Sequence, residues 1–358
     1  MRTLGRRELG RALLARQMLL ERASTTPEAA VSHLVGMQAQ SPYAPYYGLW
    51  CRLQTFDPAA LSAALTARRL LRVALIRSTI HLVTVADYAA LRPWSQPALD
   101  RELNTAFKTP LADLDLAAVA AFGRDLLATR HLTPKELGTA LHDHWPDRDP
   151  HALTTVVRNL VPLVQVPPRA IWGVGGTTRY ATAADWTGVE PAGTFDAERI
   201  VLRYLAAFGP ASINDCQTWS GRTRLRPVFE SLRPSLAVFR DEHGVELFDL
   251  PDAPRPGADV PAPVRFLPEF DNLLASHADR TRVMSEEARK RVATRNGMYA
   301  TLLVDGEVTG VWQLREGNLV IDPFRNLTAA ERAEVDAEAA RLLTLAAPGT
   351  NHDLRIRR

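Results

Sequence analysis

The chain has 358 residues, 46% of them hydrophobic and 23% charged, which is the balance of a folded globular protein and excludes a disordered, fibrous or collagen-like one. A formal charge of +3 is too small to draw nucleic acid by bulk electrostatics, although forty of the 43 basic side chains are arginine, which forks onto phosphate or carboxylate. Cys51 and Cys216 are the only cysteines, so a disulfide framework and a paired-cysteine zinc site are both excluded and a reducing, cytoplasmic compartment is expected.

The first twenty residues form an amphipathic helical pattern through Leu4, Leu9, Leu13, Leu14 and Met18. Arg6, Arg7, Arg11 and Arg16 interrupt it, which is unlike an export signal. No run reaches the roughly 20 apolar residues that cross a bilayer, so no membrane partner is expected. A second helix starts at Thr26-Pro27-Glu28 and runs through Leu34, Val35 and Met37. Pro42 disfavours helical geometry at Ser41, so the chain is expected to leave this helix near Gln40. A third helix begins near Asp57-Pro58. Residues 71–85 follow as paired strands, with Val73, Leu75, Arg77, Thr79 and His81 alternating on one side.

The same order returns twice. Helices through Val119 to Leu126, from Thr133-Pro134, and over residues 151–163 precede a turn-rich ribbon holding Gly173, Gly175 and Gly176. Helices over 196–207, 210–219 and 225–232 precede a hairpin turned by Glu242-His243-Gly244. Three helices and a hairpin is the winged-helix plan. The expected fold is therefore α+β, with winged-helix units over residues 1–110, 111–195 and 196–250. Residues 251–358 follow as a proline-rich linker, an α+β region turned at Asp305-Gly306 and Gly317, and a closing helix over 327–345.

No phosphate-binding glycine loop and no HExxH occur, and His142 and His144 diverge on a helix, so no metal and no organic cofactor is expected. The unusual segment is residues 33–47, where Gln38 and Gln40 flank Ala39. In extended geometry alternate side chains share a side, so both carboxamides can address one small object. A glutamine pair is neither a strong base nor a nucleophile. It can hold water by its carbonyl oxygens and set negative partial charge beside a developing cation, but on composition alone surface polarity or a helix cap is the commoner account of such a pair.

Residues 33–42, Ile76-Arg77-Ser78-Thr79-Ile80-His81-Leu82-Val83-Thr84, residues 266–280, and Leu303-Val304-Asp305-Gly306 with Gly310-Val311-Trp312 together resemble the AlkZ-like winged-helix DNA glycosylases. The resemblance spans nearly the whole chain. It implies a C-shaped protein of three tandem winged-helix units around a basic channel, acting at the nucleoid on alkylated purines in double-stranded DNA, as a monomer. It also implies that the catalytic Gln-x-Gln pair is Gln38 and Gln40. One bacterial branch carries Gln-x-Asp, so Gln40 aligns this chain with the branch linked to self-resistance against DNA-alkylating natural products and to unhooking of interstrand crosslinks. Arg77, Thr79 and His81 are expected to contact DNA, Arg77 at a phosphate and His81 at the backbone or a strand edge, and the alternative for Thr79 and His81 is that they tie the wing to its own domain. With no lysine near the pair in sequence, base release without strand cleavage is expected. Two alternatives stand beside this reading. One is a winged-helix regulator or drug-sequestering protein without chemistry, and the other is a hydrolase using Glu269 or Asp271 with His277.

Overall fold

The computed structural model describes residues 1–294, 297–315, 317–346 and 353–357. Helix α1 (Arg6–Arg16) leads to α2 (Pro27–His33), which starts where the Thr26 side chain accepts a hydrogen bond from the Ala29 amide at 3.2 Å. The second helix ends well before Gln40, because Val35 and Gly36 take positive φ of 54° and 88°. A Cβ on Gly36 would lie 2.7 Å from Val83 Cγ1, so only glycine lets the chain pass this close to the strand beside it. Strand β1 (Met37–Gln38) follows at once, then α3 (Ala44–Trp50) and α4 (Pro58–Thr66).

Strands β2 (Leu70–Ala74) and β3 (Ile80–Thr84) form the expected antiparallel pair, but not as a continuous alternation. A 3-10 turn at Ile76–Ser78 separates them, with Arg77 and Ser78 at φ 55° and 60°. Arg77 is thus a turn residue and not a strand neighbour of Thr79 and His81. The 21-residue helix α5 (Val85–Thr105) comes next, capped by Thr84 and holding Pro93 and Pro97 in its interior.

Helices α6 (Leu116–Thr129), α7 (Pro134–His144) and α8 (Pro150–Leu160) start at Asp115, at the Thr133/Glu136 capping box and at Asp149. Strands β4 (Leu163–Gln165) and β5 (Tyr180–Thr182) precede the short α9 (Ala183–Thr187). Helices α10 (Ala197–Phe208), α11 (Ile213–Ser220) and α12 (Arg226–Leu232) then lead into the hairpin of β6 (Ala237–Arg240) and β7 (Glu246–Asp249). The C-terminal part holds β8 (Arg265–Leu267), α13 (Glu286–Val292), β9 (Ala293–Thr294), β10 (Gly297–Met298), β11 (Ala300–Val304), β12 (Glu307–Arg315), β13 (Asn318–Pro323), α14 (Ala329–Ala346) and β14 (Leu354–Ile356).

The helices and strands thus confirm a mixed α+β chain. Strand order β1-β3-β2-β4-β5 makes one antiparallel sheet from residues on both sides of position 110, so the first two expected units are joined by a shared sheet. A second sheet, β14-β13-β12-β11-β8, turns at Asp305-Gly306 as expected. The main core runs through both, drawing on residues from Leu13 to Leu343. The helices around α6 to α8 keep a core of their own.

Charge crosses these layers in buried pairs. Arg16 on α1 grips Asp249 on β7 through two bonds of 2.5 and 2.8 Å, and Arg255 adds a third at 2.6 Å. Asp249 has no exposure and Arg16 almost none. Removing the carboxylate strands a buried guanidinium, so Asp249→Ala should lose about 3–5 kcal/mol of unfolding free energy by denaturant titration. A loss under about 1 kcal/mol would contradict this account of the pair.

Candidate active site

Gln38 sits opposite His81 in the β1/β3 ladder, and the Ala39 amide donates to the Ile80 carbonyl at 2.7 Å. The segment is therefore extended through the pair. Met37 and Ala39 point into the hydrophobic cluster around Leu34, Leu65 and Leu70, which turns Gln38 and Gln40 to the opposite face. Gln38 is 9% exposed, whereas Gln40 is exposed.

Each carboxamide oxygen faces a group that can only donate. Gln38 Oε1 accepts from Arg77 Nη2 at 2.9 Å, and Gln40 Oε1 accepts from the Ile80 amide at 2.9 Å. Neither a guanidinium nor a backbone amide can accept a hydrogen bond, so the chemistry of the partner fixes which end of each side chain is oxygen. Ile80 reaches for a side chain for a structural reason. The Ala39 carbonyl, which would continue the ladder, is held by Arg72 Nη2 at 2.7 Å. Asn272 completes the frame, accepting from the Gln38 amide at 3.1 Å and donating to the Gly36 carbonyl at 2.6 Å.

Neither guanidinium, that of the buried Arg72 or of the half-buried Arg77, is paired with a carboxylate. Burial, then Arg169, lowers Arg72 to about 10, and its Nε and Nη1 find no hydrogen-bond partner. Burial, then Arg280, likewise lowers Arg77 to about 10. Arg52 is different, since Asp271 grips it at 2.8 and 2.7 Å below the same strand. Asp271 also caps the Leu273 amide.

Gln40 opens onto a cleft of about 730 Å³ between the Arg77 turn, α5 and α11. Arg77, Arg101, Arg158 and Arg222 line it together with Thr79 and one carboxylate, Glu102, which is tied to Ser78, Arg158 and Asn159. Arg222 lies over the Trp94 and Phe195 rings at 4.5 and 4.7 Å. None of the lysines lines the cleft.

The expected DNA-contacting residues separate. Thr79 is half-buried at the cleft wall, its hydroxyl donating to the Ile76 carbonyl at 3.0 Å. Arg77 is also at the wall, but its guanidinium is engaged by Gln38 and by the Trp219 carbonyl. His81 is only 2% exposed, so in this structure it sits inside the fold and not at the cleft surface, as the alternative structural role for it requires. Its Nδ1 lies 3.0 Å from the Thr79 carbonyl, which only accepts, so that nitrogen carries the proton. The alternative hydrolase constellation is not assembled either. His277 is buried between the Phe208 carbonyl and the Ser276 hydroxyl, both Asp271 oxygens are committed to Arg52, and Glu269 is exposed. Among the described residues, no three His, Cys, Asp or Glu side chains converge to hold a metal ion. The sequence signal for Arg72 and the α11 side of the cleft was absent, because each meets the pair only through folding, whereas Asn272 lies in the run 266–280 that carries the resemblance but without a role assigned to it.

Residues 31–345 match the family described as DNA glycosylase AlkZ-like. The chain belongs to that family. An interstrand DNA cross-link repair glycosylase of Streptomyces sahachiroi is 25% identical over 354 residues, covering 91% of this chain and 92% of that protein. The solved structure of the DNA glycosylase AlkZ from the same organism is similar in fold, with a TM-score of 0.82 at 20% identity over 99% of this chain and 100% of that one. The glycosylase has no helix, among the described residues, long and apolar enough to cross a membrane.

Burial, and next to it the Arg77 charge, depresses His81 to about 3, so the ring stays neutral in the folded glycosylase. An unfolded histidine titrates near 6.5, so between about pH 6.5 and 3 only the unfolded chain binds this proton and stability falls as pH falls. Replacing the ring by His81→Asn should flatten unfolding free energy against pH by about one proton, or about 1.4 kcal/mol per pH unit, in urea titrations from pH 6.5 to 4.5. Identical slopes would show that His81 is already charged in the fold.

Proposed function

We propose that this glycosylase hydrolyses the N-glycosidic bond of alkylated purines of the N7-alkylguanine type in duplex DNA, with Gln38 and Gln40 as the catalytic pair. Alkylation at N7 makes the base cationic, so departure needs little acid catalysis and the sugar gathers positive charge as the bond breaks. The enzyme's task is then to place water at the anomeric carbon and to surround the sugar with oriented dipoles.

The observation that carries the reading is the polarity of the two carboxamides. A carbonyl oxygen has two lone pairs, and a donor from the protein occupies one on each glutamine. The second lone pair of each is left for one water or for the developing cation. Neither oxygen needs to reorient during the reaction, which is the condition under which fixed dipoles lower a barrier most.

In this proposal three winged-helix units, residues 1–110, 111–195 and 196–250, curve around the duplex as a monomer. Thr79, Arg101 and Arg222 at the cleft meet its phosphates. No lysine is at hand for a Schiff base, so the product is an abasic site with an intact strand. The name of the S. sahachiroi relative supports extending the substrate range to interstrand crosslinks, and a role at the nucleoid in self-resistance to a DNA-alkylating natural product is proposed beside it.

Single-turnover release of N7-methylguanine from duplex DNA tests the pair. Gln38→Ala and Gln40→Ala should each lose about 100-fold or more in rate with affinity for the duplex retained. The double variant should lose less than the product of the single losses, since one water serves both side chains. Wild-type rates in either single variant would remove that glutamine from the chemistry, and binding without base release by the wild-type protein would point to a non-catalytic DNA binder.

A further inference from the structure

The guanidinium of Arg77 was expected at a phosphate, yet at the cleft wall both of its Nη atoms are engaged within the protein. Nη2 donates to Gln38 Oε1 at 2.9 Å, and Nη1 donates to the Trp219 carbonyl at the end of α11. The backbone that delivers it is unusual. Arg77 takes a φ of 55° in the 3-10 turn, a conformation that a side chain other than glycine adopts only where its surroundings hold it there. Those surroundings belong to α11. Gly221, just beyond Trp219, has a φ of 71°, and a Cβ added to it would touch Arg77 Cα and Cγ at 3.4 Å. Ala98 of α5 lies equally close on the same side.

We propose that Arg77 is a positioning residue for Gln38, bridging it to the Trp219 carbonyl so that the seating of α11 against the β2–β3 turn sets the orientation of the carboxamide. This rests on the catalytic reading of Gln38 given above. Arg77 does not touch the reacting atoms. A glutamine side chain has three rotatable bonds and an amide that can flip end for end, and a fixed donor on Oε1 removes that freedom before substrate arrives. A lysine could not do the same work, because its single ammonium cannot span both acceptors in the planar geometry of a guanidinium. Arg72 holds the same segment at the Ala39 carbonyl, between the two glutamines, so a second guanidinium that no carboxylate neutralises fixes the backbone that carries them.

The test uses the full chain and a duplex carrying one N7-methylguanine, with single-turnover rate and equilibrium affinity measured across a range of salt concentrations. Arg77→Ala is expected to slow release about 10- to 100-fold while affinity and its salt dependence stay as in wild type. Combined with Gln38→Ala, it should slow release no further than Gln38→Ala alone. Added methylguanidinium should restore rate to Arg77→Ala but not to the double variant. If the alanine variant does not fold, Arg77→Lys retains the charge and should still release base slowly at unchanged affinity.

Three results would overturn the proposal. An Arg77 variant that cleaves normally once bound, but binds weakly with a salt slope smaller by about 0.9, would make Arg77 a phosphate contact. Losses from Arg77→Ala and Gln38→Ala that multiply would make the two residues independent. A wild-type rate in Gln38→Ala beside a slow Arg77→Ala would show Arg77 acting without Gln38. Failure of the catalytic reading itself looks different, since there Gln38→Ala and Arg77→Ala would both match wild type.

Discussion

Two residues of backbone pairing, Met37–Gln38 against β3, govern the rest of the site. Because side chains alternate on an extended chain, anchoring Ala39 in the core turns Gln38 and Gln40 to one face together. A one-residue slip would bury both amides and expose Met37 and Ala39, a costly exchange of apolar for polar burial. The pairing is short, so the remainder of the protein is recruited to hold it. Asn272 engages the Gln38 amide, Arg72 the Ala39 carbonyl and Gln40 the Ile80 amide, and Gly36 lets the strand approach Val83.

Electrostatics around the pair is lopsided. The buried arginines of the scaffold, Arg16 on Asp249 and Arg52 on Asp271, each face a carboxylate through two hydrogen bonds. Arg72 and Arg77 are not balanced, and their burial is a cost that structure alone does not return. Such a cost is sustained where a polyanion completes the charge balance, and the cleft beside Gln40 carries further arginines with a single carboxylate. In the proposed reaction the same excess of positive charge would disfavour a cationic lesion, and a neutral glutamine pair would answer that constraint. On that proposal, carboxamides would offer negative partial charge to the sugar without a full charge that Arg77 would capture as an ion pair.

Much of the fold was legible in the sequence because its punctuation is strong. Thr26-Pro27, Asp57-Pro58, Thr133-Pro134 and Asp305-Gly306 each mark an element boundary that the structure respects. Helix α5 was not legible, since Pro93 and Pro97 in its interior read as breaks although tertiary packing overrides them. The end of α2 was misplaced because Pro42 gives a local signal at Ser41, whereas the actual stop comes from Gly36 and its fit against Val83. At the site, Gln38 and Gln40 could be named from spacing and resemblance. The turn at Arg77 could not, because a positive φ leaves no periodic trace, whereas the burial of His81 agrees with the alternative that it ties the wing to its own domain.

The central claim is that two neutral side chains serve one anomeric carbon from fixed positions. The most direct measurement is a crystal structure of the wild-type protein on a duplex whose lesion carries a 2′-fluorine, which slows loss of the base by destabilising the sugar cation. The account predicts Gln38 Oε1 and Gln40 Oε1 both within hydrogen-bond distance, about 3 Å, of a single water at that carbon, with the Arg77 and Ile80 donors still in place. The lesion's sugar bound elsewhere, or flanked by only one of the two amides, would contradict it.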